Sequence, residues 1–166
     1  MKKFRNTWAE INLSAIHNNV EALMALQPEG TKAIGVVKAD GYGHGSVEVA
    51  KTLIAAGVEK LMVALLEKAI VLRENGITVP IIVITRVAPM YAPIAAQHDV
   101  IVTVYAKEWI EEAASYSLNK SLQTHMEFET GMGRTGVQTK EQIKSLVDAY
   151  NHSEDILLTG VYTHFA

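Results

Sequence analysis

The chain is predicted to be an α/β protein whose parallel sheet is covered by helices, and three observations predict it. Short β-branched or apolar runs alternate with segments of helical spacing along all 166 residues. The runs are apolar throughout instead of alternating with polar residues, as expected for strands covered on both faces. Residues capable of chemistry stand where several runs end, namely Lys38, Arg134 with its glycine loop, and His164, and barrels of this class display their sites at the C-terminal ends of strands.

Taken in order, the predicted strands are AIGVVKA (33–39), LMVALL (61–66), IIVITR (81–86), IVTVY (101–105), LQTHMEFET (122–130) and LTGVYTHFA (158–166). The predicted helices are SAIHNNVEALMAL with Ser14 as its cap, SVEVAKTLIAAG ending on Gly57, LEKAIVLRENG ending on Gly76, AKEWIEEAASYSL, and TKEQIKSLVDAYN. A doubly wound sheet and a barrel share this grammar, and the strand-end residues favour the barrel. A closed barrel of this type needs eight strands and roughly 250 residues. The expectation is therefore an incomplete (β/α)8 TIM-type barrel of about six βα units, with residues 1–166 forming part of a domain.

Composition narrows the function classes. Hydrophobic residues make up 49% of the chain, enough for a packed core. The net charge is −3 and no basic block could neutralise phosphates, which argues against nucleic acid. There is no cysteine, so thiolate metal sites and disulfides are impossible. No histidine set has zinc spacing, and no metal is expected. The basic start MKKFRNTWAEINL lacks an apolar region after it, and no window reaches membrane-span length, so no membrane partner is expected and the cytoplasm is the default.

VVKADGYGHG (36–45) puts Lys38 at the end of an apolar strand. An apolar wall around the lysine stem would desolvate the ammonium and free an amine able to attack a carbonyl, which makes Schiff-base chemistry possible. The glycines permit close backbone approach, and the Tyr42 hydroxyl can donate to an anion. In HMEFETGMGRTGV (125–137), strand alternation places His125, Glu127 and Glu129 on one face. A polar row in a parallel sheet must be paired, and Arg134 is an obvious partner for a carboxylate. Spacing alone fits a structural Arg–Glu brace equally well. His164 in YTHFA (162–166) alone reads as a core histidine.

Together these segments match a family. VVKADGYGHG resembles the lysine motif of alanine racemases, ETGMGRTGV resembles their D-T-G-M-G-R-[LT]-G, and VYTHFA resembles their Y-T-H-F-A. TWAEINLSAIHNNV and ALLEKAIVLRENGITVPIIVI extend the similarity over essentially the whole chain. The resemblance implies a fold-type III enzyme of pyridoxal 5′-phosphate (PLP), with an N-terminal barrel, a C-terminal β domain and a homodimeric state. It implies that Lys38 holds PLP covalently and shuttles the substrate α-proton on one face. Tyr42 would contact the phosphate, and His164 would stack on the pyridine ring with Tyr162 in its hydrogen-bond network. Arg134 would reach the cofactor's phenolic oxygen and the substrate carboxylate region. The implied substrate is alanine, interconverted between its L and D forms for cell-wall supply.

Two departures qualify this. Glu127 stands where many family members carry a carbamylated lysine that orients the arginine, and the expectation is that Glu127 orients Arg134 instead. The chain also lacks the family's second domain and main phosphate-binding residues, so by itself it is expected to bind PLP weakly or not at all and not to racemise. A non-catalytic PLP-binding or carrier barrel, and a serine racemase of the same family, are the alternative readings.

Overall fold

The computed structural model describes residues 6–166. Six strands form one sheet in sequence order: β1 (Ile34–Val36), β2 (Lys60–Val63), β3 (Ile81–Arg86), β4 (Val100–Val104), β5 (Leu122–Phe128) and β6 (Ile156–Thr163). Every neighbouring pair is parallel. Helix α1 (Leu13–Ala25) precedes the sheet, and α2 (Ser46–Ala55), α3 (Leu66–Glu74), α4 (Ala92–Gln97), α5 (Lys107–Ala113) and α6 (Lys140–Asn151) fill the connections. The result is a partial barrel, in which β1 and β6 each pair on one side only among the described residues.

Strand alternation divides the sheet into two faces. One packs under the helices: Leu61, Val63, Ile81, Val83, Val102 and Met126 share a buried cluster with helix residues such as Leu53, Leu72, Ile110 and Leu146. The other face carries Ile82, Ile101, Thr103, His125 and Glu127, all buried yet outside that cluster. Gly35 marks the boundary on β1, since an added Cβ would lie 2.6 Å from Leu53 Cδ1 on the helix side. Ile34 and Val36 therefore face the inner side, where they are 40% and 36% exposed beside the unpaired edge.

Register assembles the polar part of the inner face. Thr103 pairs with His125, His125 with Gly160, and Glu127 with Tyr162. Gly160 is required under the imidazole, because a Cβ there would lie 2.6 Å from His125 Nε2. Burial pushes the His125 pKa below its ordinary value, and the Lys60 charge adds to the effect. At the N-terminal end of the strands, Arg73 donates to the carbonyls of Ile77, Val79, His98 and Asp99 at 2.7 to 2.9 Å, pinning the entries to β3 and β4.

Several expectations need correction. The cap of α1 is Asn12, whose Oδ1 accepts from the Ala15 amide at 3.0 Å, and Ser14 lies inside the helix. Helix α4 and the 3-10 turn Pro89–Tyr91 before it were not expected. Helix α5 stops at Ala113, well short of the predicted segment. Strand β1 ends at Val36, so Lys38 stands beyond the ladder.

Candidate active site

Lys38 opens a turn of unusual hand. Five consecutive residues, Ala39 to Gly43, have φ of 49°, 54°, 61°, 55° and 83°. A left-handed turn costs an L-residue roughly 1–2 kcal/mol per position, so non-glycine runs of this kind occur only where the surroundings impose them. Here the Gly41 amide donates to Val37 O and the Gly43 amide to Ala39 O, both at 3.0 Å. Asp40 then links the turn to α2, its Oδ1 accepting from the Ser46 amide at 2.8 Å. That bond holds the Asp40 carboxyl below its ordinary pKa. Lys38 is half-buried, and its amine has no hydrogen-bond or ion-pair partner among the described residues. Tyr42, at the end of the turn, is exposed.

The second group forms where β5 and β6 adjoin. Thr103 has one hydroxyl proton, which goes to Val83 O at 2.8 Å, so the Tyr162 hydroxyl donates to Thr103 Oγ1 at 2.9 Å. Burial pushes the Tyr162 pKa up to about 12; the Glu127 carboxylate adds to this and the Arg134 charge opposes it. Glu127 is 2% exposed, and its Oε2 accepts the Thr135 hydroxyl at 2.7 Å.

The glycine loop after β5 folds around Glu129, whose Oε1 accepts from the Gly131 amide at 2.5 Å and Oε2 from the Arg134 amide at 3.0 Å. Amides of Gly133 and Gly131, with lesser contributions from those of Arg134 and Met132, hold the Glu129 carboxyl below its ordinary pKa, against an opposing effect of burial. The carboxylates of this row are thus paired with loop amides and a threonine. No ion pair within 4.0 Å joins either of them to the exposed Arg134 guanidinium, which corrects the expected Arg–Glu pairing.

Because the strands are parallel, Lys38, Tyr42, Arg134 and His164 all follow strands at the same end of the sheet. Glu127 and Tyr162 are adjacent in register there, and Tyr162 feels the Arg134 charge. Lys38 and Tyr42 lie at the β1 edge and the exposed His164 at the β6 edge, with no hydrogen bond joining them to the Glu127 group. No group of three or more His, Asp or Glu among the described residues could hold a metal, and no described helix is long and apolar enough to cross a membrane. Sequence reasoning missed Thr103, Thr135 and the grip of Glu129 on its loop; only the last left a signal, a carboxylate directly before a glycine-rich turn.

A family model described as alanine racemase, N-terminal domain, matches residues 11–166 of this layout. The chain belongs to the alanine racemase family. It is 45% identical over 163 residues to alanine racemase of Geobacillus stearothermophilus, covering 98% of this chain and 42% of that protein. It is 43% identical, with the same coverage, to alanine racemase 1 of Bacillus subtilis. The crystal structure of alanine racemase from Bacillus anthracis with bound L-Ala-P superposes with a TM-score of 0.97 at 39% identity, over all of this chain and 43% of that one. A histidine racemase from Leuconostoc mesenteroides has a TM-score of 0.87 at 28% identity, over 93% of this chain and 42% of that one. The chain thus spans less than half the length of these relatives.

Proposed function

We propose that this alanine racemase family chain supplies the cofactor-binding barrel portion of a PLP-dependent racemase that interconverts L- and D-alanine. The observation that carries the reading is the uncommitted, half-buried amine of Lys38, held after β1 by the left-handed turn. The donor set fits an anionic aldehyde cofactor. It offers one amine to bond the aldehyde, a Tyr42 hydroxyl for a phosphate, and an Arg134 guanidinium free of carboxylates. Bound PLP supplies an electron sink for the carbanion left when an α-proton is removed.

The chain's own residues then divide the work. Lys38 Nζ carries the α-proton on one face of the substrate. Arg134 would orient a substrate carboxylate and the ring oxygen of bound PLP. His164 would offer that ring a flat partner. Tyr162, hydrogen-bonded to Thr103 and kept neutral by burial, lines the same end without itself moving a proton. Glu127 acts on Arg134 indirectly, by holding Thr135 next to it in the chain.

The carrier for the opposite face comes from outside the described residues, in keeping with a homodimeric assembly. The proposal includes a cytoplasmic role in supplying D-alanine for the cell wall, and it includes weak or no PLP binding and no turnover for residues 1–166 in isolation, whose partial barrel leaves two strand edges open among the described residues. The test is racemisation of L-alanine by the protein at its full natural length. Turnover abolished by Lys38→Ala is expected, and turnover retained in that variant overturns the assignment.

A further inference from the structure

We infer that Arg134 is positioned through its own backbone by the carboxylate of Glu129, which leaves every guanidinium donor free for a ligand. The loop 130–136 is built for this. Glu129 Oε1 takes the Gly131 amide at 2.5 Å and Oε2 takes the Arg134 amide at 3.0 Å, so both oxygens are spent on the segment that carries the arginine. A carboxylate ringed by backbone N–H groups is a strong and directional anchor.

The loop is also clamped at both ends. Glu129 N donates to Val137 O at 3.0 Å and Val137 N to Glu127 O at 2.8 Å. Gly136, at φ 114°, passes so close to β5 that a Cβ would lie 2.5 Å from Glu129 N. Thr163 gives its proton to Phe128 O at 2.9 Å and therefore accepts from Thr130 Oγ1 at 2.5 Å, which ties the loop to β6 at the residue before His164. Thr135 donates to Glu127 on the inner face. Between these ties the Arg134 side chain is exposed and without an ion pair.

Glu129 is thus a positioning residue, and its effect on a ligand must pass through Arg134. That Arg134 meets a substrate carboxylate rests on the racemase reading; the anchoring of its backbone does not.

The experiment uses the protein at its full natural length, with Glu129→Gln, Glu129→Asp, Arg134→Lys and the Glu129→Gln/Arg134→Lys double variant, each checked for unchanged thermal unfolding. In spectra labelled with 15N-glycine and 15N-arginine, Glu129→Gln is expected to shift the Gly131 amide upfield and to lower the order of the Arg134 amide, while Glu129→Asp keeps most of both. With alanine, Glu129→Gln is expected to lower kcat/KM by about tenfold to a hundredfold, mainly through KM. Adding Glu129→Gln to Arg134→Lys is expected to cost little more, because the effect of Glu129 passes through that arginine. Unchanged amides, or losses that simply multiply, overturn the inference. If the wild-type protein does not turn over alanine, the racemase reading fails, and the amide spectra still decide the positioning.

Discussion

Thr135 donates its hydroxyl proton to Glu127 Oε2 at 2.7 Å across the mouth of the sheet, and that carboxylate is 2% exposed. Removing the acceptor strands a hydroxyl and opens a cavity beside Tyr162. Glu127→Ala is therefore expected to lower stability by about 2–4 kcal/mol, and Glu127→Gln, which keeps an acceptor oxygen, by about half that. Urea unfolding of the two variants checks the order, and equal losses would show that the Thr135 bond contributes nothing.

The left-handed turn after Lys38 makes opposite forecasts for two substitutions at one residue. Ala39, at φ 49°, pays for its Cβ in this region. Ala39→Gly is expected to leave stability unchanged or raise it by up to about 1 kcal/mol, whereas the β-branched Ala39→Val is expected to lower it by about 1–2 kcal/mol. Asp40→Ala removes the Ser46 cap and is expected to cost about 1 kcal/mol. Thermal unfolding separates the three.

His125 gives the fold an acid sensitivity. Its pKa is lowered in the folded protein by burial and by Lys60, so the unfolded chain takes up a proton first as the pH falls. Stability is then fully present above the ordinary value of about 6.5 and declines below it, until the folded pKa is passed. Glu129 and Asp40, also lowered, act in the same direction but only in the carboxylate range near pH 4 and below. His125→Gln is expected to flatten unfolding free energy between about pH 6.5 and 5, and a slope equal to that of the parent protein would refute this.

Gly160→Ala forces a methyl against the same imidazole and is expected to cost about 1–3 kcal/mol. Placed on His125→Ala, the substitution is expected to cost much less, since the ring it collides with is gone. A double-mutant cycle by urea unfolding reads the difference directly.

The strands were legible because buried parallel strands need apolar β-formers. IIVITR matches β3 residue for residue, and the other runs fall within a few residues of β1, β2, β4, β5 and β6. Helix α4 was not legible, being six residues, half of them alanine, around Pro93, with no polar face to give it a period. In the site, Lys38, Arg134 and His164 stood out as polar residues at strand ends. Their supports did not, for tertiary reasons: Thr103 meets Tyr162 across 59 residues, and in sequence it is one more β-former. The glycines announced a turn after Lys38 but not its hand, since Ala39, Asp40 and Tyr42 also adopt positive φ.

The central claim, that Lys38 carries the cofactor, is tested most directly by borohydride reduction of the full-length protein in the presence of PLP, followed by peptide mass mapping. A pyridoxyl adduct on the peptide containing Lys38, absent in Lys38→Ala, is the predicted result. A protein that bonds PLP stably at another lysine while Lys38 stays unmodified would contradict the account.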